Sequence, residues 1–287
     1  MTKMLKQNNA LTLQKVIVSA SNLLNTPNSL HEAKLLLAFV LAIPVNKMFF
    51  HEQKILSKKE LDAFSQLITR RSKYEPISHI IAKRNFWNSE FIVNANVLDP
   101  RPDTETMIEC ILKEFTNLEQ KLNILDLGTG TGCILLSLLE IYKNSTGLGI
   151  DVSDQALSVA IKNAEKLHLK NRTEFLENNW HENINKKFDI IVSNPPYIPT
   201  KTIETLQIEV RYYEPKLALD GGNDGLNCYK QIAINIEEKL KNNGKLFLEI
   251  GQGQERDVQK IFEQQELKFL YYKKDLNGIV RVLVFKK

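Results

Sequence analysis

Cysteine is scarce here, with three among 287 residues. Cys110, Cys133 and Cys228 are odd in number, widely scattered and without a CxxC. That argues against a disulfide framework or a zinc site and suits a reducing cytoplasm. The five histidines, at 31, 51, 79, 168 and 181, have no metal-ligand spacing either, so no metal is expected. An excess of one charge is also missing. The formal net charge of +4 is compatible with an acidic or RNA-rich partner without requiring one. The most apolar run, LLLAFVLAIPV at 35 to 45, is too short to span a bilayer and contains Pro44, so it reads as a core helix. Gln14 and Lys15 interrupt the apolar content near the N-terminus, so no signal peptide and no membrane association are expected.

What remains is ordinary globular composition, 43% hydrophobic and 25% charged, long enough for one large domain or two modest ones. The first part reads as helical. LTLQKVIVSASNLL at 11 to 24 is one helix. Ser29 and Glu32 form a capping-box pattern before an apolar run that stops near Pro44, and Ser57 and Glu60 repeat it. Leu61, Phe64, Leu67 and Ile68 then recur at helical spacing, and the bundle is expected to end near Tyr74. From His79 the pattern changes. Phe91, Val93, Ala95 and Val97 alternate with polar residues after NFWNSEF, a hairpin signal. PRPDTE at 100 to 105 reads as a loop, with Asp103 or Thr104 placed to cap a helix through Met107 and Ile111.

Beyond Leu122, short apolar strands alternate with helices: LNILDL, TGLGID, RTEFLE, FDIIVS, KLFLEI, LKFLYY and IVRVLVF, with helices beginning near Cys133, Asp154, Leu226 and Gln254. This alternation predicts a doubly wound, mostly parallel seven-stranded sheet. KKDLNG between the final two strands is too short for a crossover, so those two should be antiparallel. The expected organisation is a helical bundle over 1–75, a β-hairpin linker over 76–103 and an α/β domain over 104–287.

Between the first strand and helix of that sheet lies DLGTGTGC, with Gly128, Thr129, Gly130, Thr131 and Gly132. Glycines there let the backbone turn sharply and approach a ligand. The GK[ST] of a P-loop is absent, and Cys133 stands where a dinucleotide fingerprint has its third glycine. About twenty residues on, TGLGID ends in Asp151, an acid suited to ribose hydroxyls. The loop and acid favour a nucleoside ligand held without a phosphate grip and are similar to motifs of the class I methyltransferases, whose ligand is S-adenosylmethionine. On the loop alone, NAD remains an alternative.

DIIVSNPPYIP, 189 to 199, ends a buried strand with Asn194, Pro195, Pro196 and Tyr197. Each proline fixes its φ, lacks an N–H and holds the preceding residue extended. The product is a rigid edge of acceptors, the Asn194 side-chain oxygen and the Pro195 carbonyl, suited to gripping both hydrogens of an NH₂ group. Tyr197 offers a flat face to a planar amide or base.

The tetrad resembles methyltransferases of planar NH₂ groups: DNA adenine or cytosine, guanine in RNA, and protein glutamine. EPISHI at 75 to 80, FWNSEFIVNANVLDPRPDTE at 86 to 105, DLGTGTG, NPPYIP and EPKLALDGGNDGL at 214 to 226 narrow this. Together they are similar, nearly end to end, to the release-factor glutamine methyltransferase (HemK-type) family. The resemblance implies the class I methyltransferase fold behind an N-terminal helical substrate-recognition domain. It also implies methylation of the side-chain amide of the Gly-Gly-Gln glutamine in bacterial class I release factors, with S-adenosylhomocysteine as product. Gly128 to Gly132 and Asp151 would hold the cofactor, together with Asn194. Trp180 would stack near adenine, the alternative being a core tryptophan, and Asn194 to Tyr197 would bind and activate the glutamine. PRPDTE would shape the wall between cofactor and protein substrate, unless Arg101 and Asp103 are hinge and cap residues. Lys83 and Asp99 depart from the family pattern, where glycine and an apolar residue are expected. Glutamine methylation of a large-subunit ribosomal protein and exocyclic-amine methylation of nucleic acid are the rivals. The N-terminal segment is neither strongly basic nor aromatic-rich, so no stable nucleic-acid complex is expected.

Overall fold

The computed structural model describes residues 12–287. The start of the first expected helix, at residue 11, lies outside them. The chain divides into two compact units, Met1–Ala82 and Lys83–Lys287.

The first unit contains helices α1 (Leu13–Ser21), α2 (Ser29–Leu41), α3 (Lys58–Arg71) and α4 (Ile77–Ile81), with a 3-10 segment at Val45–His51. Val16, Leu36, Leu37, Phe64 and Ile68 meet in its core. The apolar run therefore is a core helix, broken where Ala42 turns left-handed before Pro44. No single helix among the described residues is long and apolar enough to cross a membrane; α2 and the following 3-10 segment pass only as a pair bent by 82°. The Ser57–Glu60 capping box forms, with the Glu60 N–H donating to Ser57 Oγ at 3.3 Å and the Ser57 N–H to Glu60 at 2.7 Å. The Ser29–Glu32 box does not. Asn28 stands at the cap position, while Glu32 accepts two bonds from the Arg71 guanidinium, at 2.8 and 2.9 Å, and one from Thr26 Oγ1 at 2.7 Å. A largely buried bidentate ion pair outcompetes a lone backbone cap for the same carboxylate.

The second unit opens with a hairpin, β1 (Lys83–Phe86) and β2 (Ser89–Ile92), joined by Trp87 and Asn88. The alternation that continues to Val97 leaves the strand at Ile92. There the buried Asn163 side chain takes over as a backbone mimic, accepting from the Ile92 N–H at 2.7 Å and donating to the Ile92 carbonyl at 3.0 Å. The same Asn163 Nδ2 donates to the Thr131 carbonyl at 2.9 Å, tying the hairpin to the glycine loop.

Seven strands follow: β3 (Asn123–Leu127), β4 (Thr146–Asp151), β5 (Thr173–Glu177), β6 (Phe188–Ser193), β7 (Leu240–Glu249), β8 (Lys268–Lys274) and β9 (Val280–Lys286). Their order is β5-β4-β3-β6-β7-β9-β8, parallel from β5 to β7, with β9 antiparallel to both its neighbours. β7 starts before the expected KLFLEI, and its register against β6 slips between Phe188 and Ile190, so that residues around Asn243 loop out. Alternate residues serve the two faces. Ile124, Ile190, Val192 and Phe247 pack with the helices Glu105–Glu114 and Cys133–Ile141. Leu125, Leu127, Ile191 and Leu248 pack with the helices Asn227–Ala233 and Glu255–Glu263. The chain runs outward from β3 to β5 and returns to β6 beside β3. That switch point is where open α/β sheets bind ligands, at the carboxyl ends of the strands.

Candidate active site

At the end of β3 the chain turns under the tip of β4, with the Gly128 and Thr129 N–H groups both donating to the Ile150 carbonyl at 2.8 Å. Gly128, Gly130 and Gly132 all have left-handed φ. At Gly132, which opens the helix Cys133–Ile141, a Cβ would also stand 3.0 Å from Leu136. Asp151 braces the loop from the next strand, accepting from the Gly130 N–H at 2.9 Å and the Ser153 N–H at 3.0 Å. Burial raises its pKa against those two bonds. Ser153 then caps the helix Asp154–Lys166 through the Ala156 N–H. Beneath the loop, Thr129 Oγ1 donates to Asp126 at 2.7 Å, and burial of Asp126 pushes its pKa up to about 7.

Trp180, past the end of β5, holds φ +52, a conformation costly for so bulky a residue. Its indole N–H donates to Gln231 Oε1 at 2.7 Å, and its ring edge lies 3.6 Å from where a Gly128 Cβ would be. The half-buried tryptophan thus roofs the glycine loop.

The segment after β6 is clamped from several sides. Ser193 Oγ donates to the Leu127 carbonyl at 2.7 Å. Ile198 bridges Asp220 in parallel, with the Ile198 N–H on the Leu219 carbonyl and the Gly221 N–H on the Ile198 carbonyl. Gln254 Nε2 donates to the carbonyls of Tyr197 and Gly225, and its Oε1 accepts from the Gly251 N–H. EPKLALDGGNDGL therefore has a physical task, holding Asn194 to Tyr197 in place. Asn194 Nδ2 donates to Thr104 Oγ1 at 3.2 Å. Thr104 occupies the cap position of the helix Glu105–Glu114 without capping it, contrary to the sequence reading, and Asp103 pairs with Arg281 instead. Among the described residues no hydrogen bond engages the Pro195 carbonyl.

These pieces surround one cavity of about 310 Å³. Gly128 to Thr131, Asp151 and Trp180 line it on one side, Asn194 and Pro196 on another. Its apolar walls include Val97, Leu98, Ile134 and Val152. Gly132, Pro195 and Tyr197 are not on the wall. Gly132 starts the helix, Pro195 is buried, and Tyr197 packs with the β7-side core, where burial raises its pKa. The residues fit a nucleoside-bearing ligand: a glycine floor without side chains, a braced acid at the second strand and an indole above. Gln231, Gln254 and, at the end of β7, Glu249 escaped sequence reasoning, while Thr104 was read only as part of the PRPDTE wall or as a cap. Thr104 carried a capping signal that concealed its contact with Asn194, and Glu249 was indistinguishable from the end of an ordinary strand.

Residues 17–81 match the PrmC N-terminal domain family and residues 118–280 a methyltransferase domain family. The chain is 41% identical over 256 residues to the release factor glutamine methyltransferase of Rhodospirillum rubrum, covering 89% of this chain and 78% of that protein. It is 40% identical to the release factor glutamine methyltransferase of Agrobacterium fabrum, covering 89% and 90%. The chain belongs to the release factor glutamine methyltransferase family. It also matches 58% of the length of a bifunctional methyltransferase of Rickettsia felis, at 37% identity. Among solved structures, the hMettl16 catalytic domain bound to the MAT2A 3'UTR hairpin 1 shares the fold, with a TM-score of 0.54 and 12% identity over 87% of this chain and 90% of that one.

Two departures from the release factor glutamine methyltransferase pattern acquire partners. Lys83 pairs with Glu90 across the hairpin at 2.9 Å. Asp99 is buried 3.7 Å from Arg84 Nε, with its Oδ1 unbonded. Beside it, cavity-lining Arg101 donates to buried Glu214 at 2.6 Å, and burial raises the Glu214 pKa to about 7 despite that guanidinium. Arg101 is thus anchored by charge at the cavity wall, which a simple hinge residue would not need.

Proposed function

We propose that this chain transfers a methyl group from S-adenosylmethionine to the side-chain amide nitrogen (N5) of the glutamine in the Gly-Gly-Gln motif of bacterial class I peptide chain release factors. One observation carries the reading. Asn194 shares a single cavity with the glycine loop, Asp151 and Trp180, and its amide nitrogen is committed inward to Thr104. Its Oδ1 is left to accept from a substrate, next to the unengaged Pro195 carbonyl. Gly128 to Thr131, Asp151 and Trp180 would hold the cofactor.

When bound, S-adenosylmethionine supplies a methyl group made electrophilic by a sulfonium. The chain's own contribution is placement. A carboxamide nitrogen is a poor nucleophile because its lone pair is delocalised into the carbonyl. Asn194 Oδ1 at the cavity wall orients one N–H bond, and the Pro195 carbonyl, buried behind that wall in the free protein, takes the other once the substrate is seated. Together they favour partial pyramidalisation, which aims the lone pair. Orientation of this kind supplies roughly 7–11 kcal/mol of a barrier. The same acceptors repel a carboxylate, so glutamine is chosen over glutamate, a discrimination of about 10⁴–10⁵ where a site is built to match hydrogen bonds. Release factors act on ribosomes, so this reading implies a cytoplasmic reaction.

The test is mass spectrometry of purified release factors, ribosomal proteins and rRNA after incubation with the protein and S-adenosylmethionine. A single added methyl on the glutamine of the Gly-Gly-Gln peptide is expected. Methylation of a ribosomal protein or of RNA, with the release factor unchanged, overturns the proposal.

A further inference from the structure

Asparagine has two ends of nearly equal size and opposite hydrogen-bond character. For Asn194 to accept from a substrate NH₂, its own NH₂ must be kept pointing inward. A flipped amide would set donor against donor. Thr104 Oγ1, the observed acceptor at 3.2 Å, cannot enforce this alone, because a hydroxyl donates as readily as it accepts and suits either orientation. Enforcement needs a neighbour that only accepts.

Such a neighbour lies one strand away. Ser193 pairs with Leu248 in the parallel register of β6 and β7, so the next residues, Asn194 and Glu249, leave adjacent strands side by side. Glu249 is 1% exposed, and its Oε2 has no hydrogen-bond partner among the described residues. Burial disfavours its ionised form, which the Thr104 side chain, the charge of Arg281 on β9 and the Asn194 side chain favour and Asp103 opposes. Arg281 is itself shared between Asp275 at 3.0 Å and Asp103 at 3.1 Å. A carboxylate buried here without a dedicated partner is a cost that a purely structural residue would not carry.

We propose that Glu249 is a positioning residue, the acceptor that holds the Asn194 carboxamide nitrogen inward and so presents its oxygen to the substrate amide. This rests on the glutamine-amide reading above. Glu249→Gln keeps the size of the side chain and replaces a carboxyl that only accepts when ionised with an amide that donates at every pH, removing the discrimination between the two amide orientations. Turnover on release factor should fall about 10–100-fold, the usual effect of losing a supporting partner, with S-adenosylmethionine affinity unchanged. In an Asn194→Ala background the same substitution should cost less than about threefold, since coupled residues are not additive.

A second readout needs neither substrate nor cofactor. The side-chain ¹H–¹⁵N amide pair of Asn194 in the free protein should shift and lose protection in Glu249→Gln but be retained in Thr104→Val. Unchanged amide resonances in Glu249→Gln overturn the proposal, as does an undiminished penalty in the Asn194→Ala background. Loss of the pattern in Thr104→Val assigns the lock to Thr104 and overturns it equally, and that variant decides the matter should Glu249→Gln fail to fold. A wild-type protein that leaves release factor unmethylated overturns the functional reading instead, while the amide resonances still decide the role of Glu249.

Discussion

In the proposed reaction, Asn194 concentrates the chemistry into one side chain. Its position after β6 and before two prolines was legible in the sequence, because a polar amide fixed in front of two residues without N–H groups is unusual at the end of a buried strand. The direction of its carboxamide was not legible, since Thr104 and Glu249 lie 90 and 55 positions away and meet it only through the fold. Asn194→Ala is expected to lower turnover on release factor by about 10²–10³, as for removal of one preorganised polar group. Isothermal titration should show S-adenosylmethionine affinity largely kept. Near-normal turnover would remove the role given to Asn194.

Elements were easier to read than the ties between them. The central strands β3, β4, β6 and β7 were visible as apolar runs between helical stretches, because strands of a parallel sheet buried on both faces leave little choice of residue, whereas the largely exposed edge strands β5 and β8 were placed by their spacing. Ser57 with Glu60 capped as written. Ser29 with Glu32 did not, because Arg71 arrives from a different helix to claim the carboxylate, and a local pattern carries no trace of that. The 214–226 loop shows how such ties work. Gly225 has φ +75, and a Cβ there would stand 2.4 Å from the Tyr197 carbonyl oxygen, a backbone atom that cannot swing aside. Gly225→Ala should cost on the order of 2 kcal/mol or more of stability, from left-handed strain plus the displaced segment. Turnover should fall further than cofactor affinity. Urea midpoints and parallel titrations check this, and an unshifted midpoint would contradict the close approach.

For the whole molecule, three buried carboxyl groups, Asp126, Glu214 and Glu249, are raised by burial to about 7. A group raised in the folded state binds its proton more tightly there than when unfolded, so its contribution is complete below the ordinary carboxylate range and is lost as pH rises through 7. His181, lowered by burial, acts in the opposite sense, but most of its gain is made by about pH 7. Stability should therefore decline from about pH 5 and level off near pH 8, with roughly 2 kcal/mol of the loss falling between about pH 6.5 and 8. Thermal melts at fixed ionic strength measure it, and a flat profile that stays flat in Asp126→Asn would refute it. The order of the sheet bears on synthesis as well. β9 is made after β8 yet sits inside it, between β8 and β7. Until Val280–Lys286 has left the ribosome, β7 keeps a bare flank and β8 has no strand to join, so a nascent chain halted near residue 275 should expose both to protease or chaperone.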